Sequence, residues 1–507
     1  MKKPKKDINM NNKRSSGVLM SISSLPSEYG IGVFGRECVD FAKKIKEMGF
    51  SYWQVLPFTP LDYGNSPYGS DSAFAGNELY ISPELMVESG YITRHESYTN
   101  KYNGSPFTAD YSFAREKREY ILRLAFSRLD SKVKDEVAVF LSMHGLFDHC
   151  LYRALKHKNG GKKFWEWEQG ASHGDALALV PELEQEILYH GFVQYLFYTQ
   201  WSETKSKINE LGIKIIGDMP IYVSRDSADV WANPELFDID KETYEPACVA
   251  GCPPDYFSED GQLWGNPLYD WKYHKAQGYK WWIKRIKRQF ELYDVLRIDH
   301  FRAFASYWAV KGDATTAREG VWKKGPAMSL FKAVRAELGD LPIIAEDLGV
   351  FGDDVVKLLK DSGFPGMRIV QFGFDPSDDA THLPHNYPIN CVAYTGTHDN
   401  NTLLGWLWDA SEEERAFALD YVGFDHGDWG QGGFYAPACR KIIESVWRSS
   451  ASLAIIPFQD ICGFGRDARM NIPGDVNGNW RFRTTEGTIN NIDVAYFEKI
   501  NALFRRK

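Results

Sequence analysis

Asp294-Val295-Leu296-Arg297-Ile298-Asp299-His300 is a short apolar run that stops abruptly at charge. A β-rich run of this length, apolar at successive positions, suits a strand buried on both faces, as in a parallel sheet. Seven further runs share the form. Val18–Ile22 ends at Ser23-Ser24, Tyr52–Leu56 at Pro57, Ile213–Ile216 at Gly217-Asp218, and Ile343–Ala345 at Glu346-Asp347. Met367–Val370 ends at Gln371-Phe372, Val392–Tyr394 leads to Thr397-His398-Asp399, and Leu453–Ile456 ends between Pro457 and Asp460. Helical patterns lie between them. Val39, Ala42, Ile45 and Met48 form one apolar stripe, stopped by Gly49. Trp282, Ile283, Ile286 and Phe290 form another, and Val355, Val356, Leu358 and Leu359 a third. Eight strands alternating with helices predict an α/β fold, a (β/α)8 TIM barrel.

Such a barrel takes roughly 250 residues, and the chain has 507. Length alone suggests about three domains; the run pattern instead predicts one catalytic barrel domain, 17–507, interrupted by insertions. The larger insertion, at about 60–210, carries helical stretches near Ser112–Leu129, Val133–Lys156 and Leu183–Leu211. The second, at about 220–294, is rich in Pro, Gly, Tyr and Trp and reads as loops. Residues 1–16 are basic and polar and read as a disordered arm, without the apolar core of a secretory signal.

The net charge of −9, with no basic stripe beyond the first residues, argues against nucleic acid as a partner. No run of 18 apolar residues suggests a membrane span. Seven unpatterned cysteines indicate a reduced, cytoplasmic protein. Cys248 and Cys252 form the one close pair, without a second pair at zinc-ligand spacing, so no metal site is expected. No glycine-rich phosphate loop opens a helix; Gly30–Gly35 reads as backbone at the barrel mouth.

Barrel chemistry sits at the C-terminal ends of the strands. Asp218, Asp299, Glu346 and Asp399 stand at four such ends and converge there. One use is to bind a divalent cation; another is to flank a glycosidic bond with one ionised and one protonated carboxyl. Any one of these acids alone reads first as a cap on the helix after its strand, but four at separate strand ends, among aromatic loops, argue against capping. Arg297 lies two residues before Asp299, so both side chains share a face of the strand. A buried arginine there holds Asp299 ionised, whereas Glu346, after Ile-Ile-Ala, meets a drier and more negative setting that raises its pKa.

The segments Arg297–Arg302, Ala345–Gly349 and Thr397–Asn400 resemble the ordered catalytic motifs of the α-amylase superfamily. More closely, the chain is similar to the amylomaltase family of bacterial 4-α-glucanotransferases, or disproportionating enzymes. Ser66–Tyr68 with Ser72–Asn77, Gly217–Val223, Gly251–Phe257, Gln262–Tyr269 and Met470–Gly474 carry this closer resemblance, which runs from about Gly17 to Arg483. It implies Asp299 as nucleophile, Glu346 as general acid/base, Asp399 as the third acid, and Arg297 as the arginine orienting the nucleophile. Ser66, Tyr68, Asp218, His398, Asn471 and Pro473 are implied near the sugar at the cleavage point, and Tyr256, Phe257, Gln262 and Trp264 in a loop over the glucan. Cys252 departs from the apolar residue expected in that loop.

The implied activity moves α-1,4-glucan segments from a donor to the 4-hydroxyl of glucose or another glucan, by double displacement through a glycosyl-enzyme. Maltooligosaccharides and starch- or glycogen-derived glucans are the implied partners, with glucose as acceptor and no cofactor. The alternative is an α-amylase-like retaining hydrolase. Aromatic residues make up 15% of the chain. Phe41 and Phe331 fall in helical stretches and read as core. Tyr68, Phe74, Tyr256, Phe257, Trp264 and Phe372 fall in loops or at strand ends near the acids, where flat faces suit sugar rings.

Overall fold

The structure, a computed structural model, describes residues 13–61, 64–254, 259–349, 352–377, 380–475 and 477–507. Among these described residues twelve strands run in chain order as β1 (Ser15–Leu19), β2 (Tyr52–Gln54), β3 (Lys214–Met219), β4 (Cys248–Cys252), β5 (Gln262–Pro267) and β6 (Val295–Ile298), then β7 (Ser306–Lys311), β8 (Gly320–Lys324), β9 (Ile343–Ala345), β10 (Gly366–Ile369), β11 (Cys391–Tyr394) and β12 (Leu453–Pro457). Eight of them form the parallel sheet β10-β11-β12-β1-β2-β3-β6-β9. These are the eight apolar runs, and almost every residue in them is buried. The barrel closes from β9 to β10: Ala345 N–H donates to Pro365 O at 2.9 Å, and Met367 N–H to the Asp347 carboxylate at 2.5 Å. Gly366 permits this closure, because a Cβ there would lie 2.4 Å from Asp347 Oδ2.

The insertion between β2 and β3 is helical, as its pattern predicts. Helix Tyr111–Phe126 is capped by Asp110, and Ser131–His144 by Asp130. The single helix expected over 133–156 is two, because Gly145 takes the left-handed conformation (φ 60°) and ends the first before Phe147–Lys158 begins. The 31-residue helix Val180–Glu210 is buried on most sides through its middle. It grips the loop after β2 through side-chain amides. Gln194 bonds both N–H and C=O of Gly76 (2.7 and 3.0 Å), and Gln200 does the same to Ser82 (2.7 and 3.2 Å).

Two sequence expectations need correction. The 220–294 segment is more than loops: β4 and β5 lie in a four-stranded antiparallel sheet, β5-β4-β7-β8. Its other two strands come from between β6 and β9, where no insertion was expected. This small sheet has its own core of Val249, Val310 and Ala317. The expected arm 1–16 also runs two residues too far, since Ser15 and Ser16 belong to β1 and pair with Leu453 and Ala454. Residues 1–12 lie outside the described residues.

The bottom of the barrel is tied by Arg506, which is fully buried. Its guanidinium donates to the carbonyls of Trp447 (2.9 Å), Ser15 (3.1 Å), Ala451 (3.0 Å) and Ser449 (3.1 Å). Among the described residues no helix is long and apolar enough to cross a membrane. Replacing Arg506 with Met leaves these buried carbonyls short of donors and should destabilise the fold by about 3 kcal/mol or more. A lowered midpoint of urea or thermal unfolding is the expected readout; an unchanged midpoint contradicts the clasp.

Candidate active site

The carboxylates meet above the C-terminal ends of the barrel strands. Asp218 sits inside β3 and Arg297 inside β6, and the register pairs these two residues directly across the parallel ladder. Arg297 Nη1 lies 2.6 and 2.7 Å from the two oxygens of Asp218, and 3.0 Å from Asp299 Oδ1. Asp299 leaves the end of β6 with its N–H on Met219 O at 3.0 Å. His300 follows in the left-handed conformation (φ 48°), which turns the chain across the barrel mouth.

That turn aims the His300 N–H at Glu346 Oε2, at 2.7 Å, while the Leu348 N–H holds Oε1, also at 2.7 Å. Glu346 is therefore fixed by backbone on both oxygens. Asp399 is held from the other side: Asn471 Nδ2 donates to its Oδ1 at 2.6 Å, and His398 Nε2 lies 3.3 Å from the same atom. Tyr68 donates to Asp218 Oδ2 at 2.7 Å, and its ring stacks on His398, 5.1 Å between centroids and 12° from parallel.

A cleft of about 540 Å³ opens over this cluster, a size suited to an organic ligand. Ser66, Tyr68, Gln262, Trp264, Arg297, Asp299, Glu346, Phe372, His398, Asp399, Asn471 and Pro473 all line it. Asp218 does not. Its side chain is fully buried beneath the cleft, where it holds Arg297 and Tyr68. Tyr256 and Phe257 lie outside the described residues. Phe74, expected beside the acids, instead packs edge-on against Trp281 (5.7 Å) with Lys284 over its ring (4.9 Å). Phe41 and Phe331 are core, as expected.

Sequence reasoning missed several lining residues. His300 and Arg302 stood inside the motif around Asp299 but were given no role. Trp480, which lines the cleft beside Tyr68 and His398, sits in a left-handed turn (φ 66°) that no nearby motif marks.

The electrostatics differ from expectation. Desolvation pushes Asp299 well above the usual carboxylate range, although 28% of its side chain faces the cleft; Arg297 opposes the rise, and Asp218, Glu346 and Asp399 add to it. Glu346 is also raised by burial, against Arg297 and its two backbone N–H donors. The expected split, Asp299 down and Glu346 up, is thus replaced by two raised acids. One cation serves several acids here, and its shortest contacts go to Asp218. The charges of Asp299 and Glu346 act on each other, so the two titrate as a pair. His300 is pushed down to about 3 and His398 is also lowered, both chiefly by burial, so these rings are neutral near pH 7.

Barrel enzymes that act on glycosidic bonds are the class in which such a cleft belongs. Kinship narrows it further. A profile of the family described as 4-alpha-glucanotransferase matches residues 20–489. The 4-alpha-glucanotransferase of Clostridium butyricum is 40% identical over 481 residues, which span 93% of this chain and 96% of the relative. That of Thermus thermophilus is 41% identical over 495 residues, 94% of this chain and 96% of the relative. Among solved structures, amylomaltase from Streptococcus agalactiae in complex with acarbose matches with a TM-score of 0.92 at 39% identity, covering 97% of this chain and 100% of that one. The chain belongs to the 4-alpha-glucanotransferase family.

Glycosidic chemistry at such a pair needs one ionised and one protonated carboxyl. With both acids raised, activity should fall on the acid side at a pH above the ordinary carboxylate value of about 4. Arg297→Met removes the cation that favours the ionised form, so the pKa rises and the acid limb of kcat/KM moves to higher pH. Arg297→Lys should move it less. A limb that stays in place in a folded Arg297→Met variant contradicts the role of Arg297 as counter-charge.

Proposed function

We propose that Asp299 attacks the anomeric carbon of a bound α-1,4-glucan while Glu346 protonates the departing glycosidic oxygen. The bond from carbon to the leaving glucan breaks as the bond to Asp299 forms, which gives a covalent glycosyl-enzyme with inverted configuration. A second glucan then enters, Glu346 takes the proton from its 4-hydroxyl, and a second inversion restores the α-linkage. One glycosidic bond is exchanged for another of the same kind, so the donor bond supplies the driving force and no cofactor enters the balance.

The observation that carries this reading is the different support of the two acids. Asp299 bears its contact from a cation, Arg297 at 3.0 Å, which favours a carboxylate. Glu346 is locked in place by two backbone N–H groups at the mouth. It sits among atoms that stay fixed while it loses and regains a proton. Asp399, with Asn471 and His398 beside it, is suited to grip sugar hydroxyls. The stacked Tyr68 and His398 offer a flat wall to the ring at the cleavage point. Asp218 acts from below, through Arg297 and Tyr68.

Maltooligosaccharides and glucans derived from starch or glycogen are the proposed donors, with glucose or a glucan end as acceptor. The seven cysteines, scattered and without a disulfide spacing, support a reducing compartment, the cytoplasm.

Incubation with maltotriose should yield glucose together with oligomers longer than the substrate, resolved by length. Shorter products alone would replace transfer with hydrolysis. Asp299→Asn should keep glucan binding and lose turnover by about 10³-fold or more. Turnover retained in a clean preparation removes Asp299 from the nucleophile's place.

A further inference from the structure

Arg302 forms part of the cleft wall two residues beyond His300. Its guanidinium carbon lies 4.1 Å from the centre of the Trp322 ring. Trp322 belongs to β8, the edge strand of the small antiparallel sheet, and is 41% exposed; its neighbour Val321 is 64% exposed. Trp308 pairs with Trp322 across the β7–β8 ladder, with ring centroids 5.1 Å apart. The Trp308 indole N–H is fixed on Ala317 O at 2.9 Å. Gly320 leaves room for that ring, since a Cβ there would meet it at 2.5 Å. An indole held by a neighbouring indole across the ladder and by a guanidinium over its ring is a rigid platform, and it remains 41% exposed.

A general acid must stand beside the bridging oxygen, so the leaving and accepting glucan lies on Glu346's side. Arg302 is on that side: it follows His300, whose N–H holds Glu346, and it feels the Glu346 charge. Asn471 and Asp399, tied to each other, line the cleft from other segments of the chain.

Resting on the transfer reading above, we propose that Trp322 is an outlying acceptor-side subsite. A long α-glucan leaving the cleft past Arg302 lays the apolar face of a glucose unit on the Trp322 ring, whose flat face and fixed orientation cost little entropy on binding. Short acceptors end inside the cleft and never reach it. The subsite therefore sets a preference for acceptor length.

The test is Trp322→Ala, with Trp322→Phe as the conservative partner, assayed across acceptors from glucose to maltoheptaose and short amylose. The expected result is an apparent KM for the longest acceptors raised about tenfold, with KM for glucose and kcat throughout unchanged, and recovery in Trp322→Phe. An equal loss at every length makes Trp322 a support for Arg302 and overturns the proposal, as does no change at any length. Disproportionation of maltotriose by the unaltered enzyme, followed in parallel, tests the transfer reading separately.

Discussion

One buried cation organises this molecule's chemistry. Arg297 is 3% exposed and stands among the barrel's acids, bound to Asp218 below and touching Asp299 above. An arginine placed there without Asp218 would be an uncompensated charge in a low-dielectric interior; Asp218 without Arg297 would be the same with opposite sign. Together they fix the register at which β3 meets β6. That register sets where Asp299 emerges, because its N–H is the next backbone group on Met219. The left-handed His300 then turns the chain so that the strand presenting one acid also holds the other. Two carboxylates from different strands are thus positioned by one short segment, Arg297 to His300.

The same crowding explains why the acids do not divide as a lone Arg–Asp pair would. Arg297 cannot lower every carboxylate around it. Burial raises both Asp299 and Glu346, and each one's charge opposes the other's. The proton that such a site retains is a property of the cluster. In the proposed mechanism it rests on Glu346, because Arg297 lies 3.0 Å from Asp299 and favours the ionised form there.

Around this rigid centre the insertions shape the cleft by different means. Within the helical insertion, Gln194 and Gln200 tie the long helix to the segment after β2, their amides pairing with the backbone N–H and C=O of Gly76 and Ser82. The antiparallel sheet brings Gln262 and Trp264 to the rim, with the Trp264 indole bonded to Gln262 at 3.1 Å and set edge-on to His300 at 4.7 Å. Aromatic residues serve two ends here. Phe41, Phe331 and Phe74 pack against other side chains, while Tyr68, Trp264, Phe372 and Trp480 face the cleft.

The sequence by itself determined the barrel and its acids. Strands buried on both faces leave an unbroken apolar signature, and a polar group at the end of such a run has few places to go except the mouth. It also determined the three long helical stretches of the larger insertion, except where Gly145 divides one of them, but not the short helices Pro83–Glu88, Arg94–Tyr98 and His173–Ala176. The small antiparallel sheet was hidden because its strands are short, half-exposed and drawn from two separate segments, so neither segment alone carries a strand's alternation. Three further facts were decided only by the tertiary structure. Asp218 lies under the cleft rather than in it, Phe74 turns away toward Trp281, and Asp299 and Glu346 are both raised. Each depends on which groups from distant parts of the chain share one space, and Coulomb and desolvation energies follow that proximity rather than order along the chain.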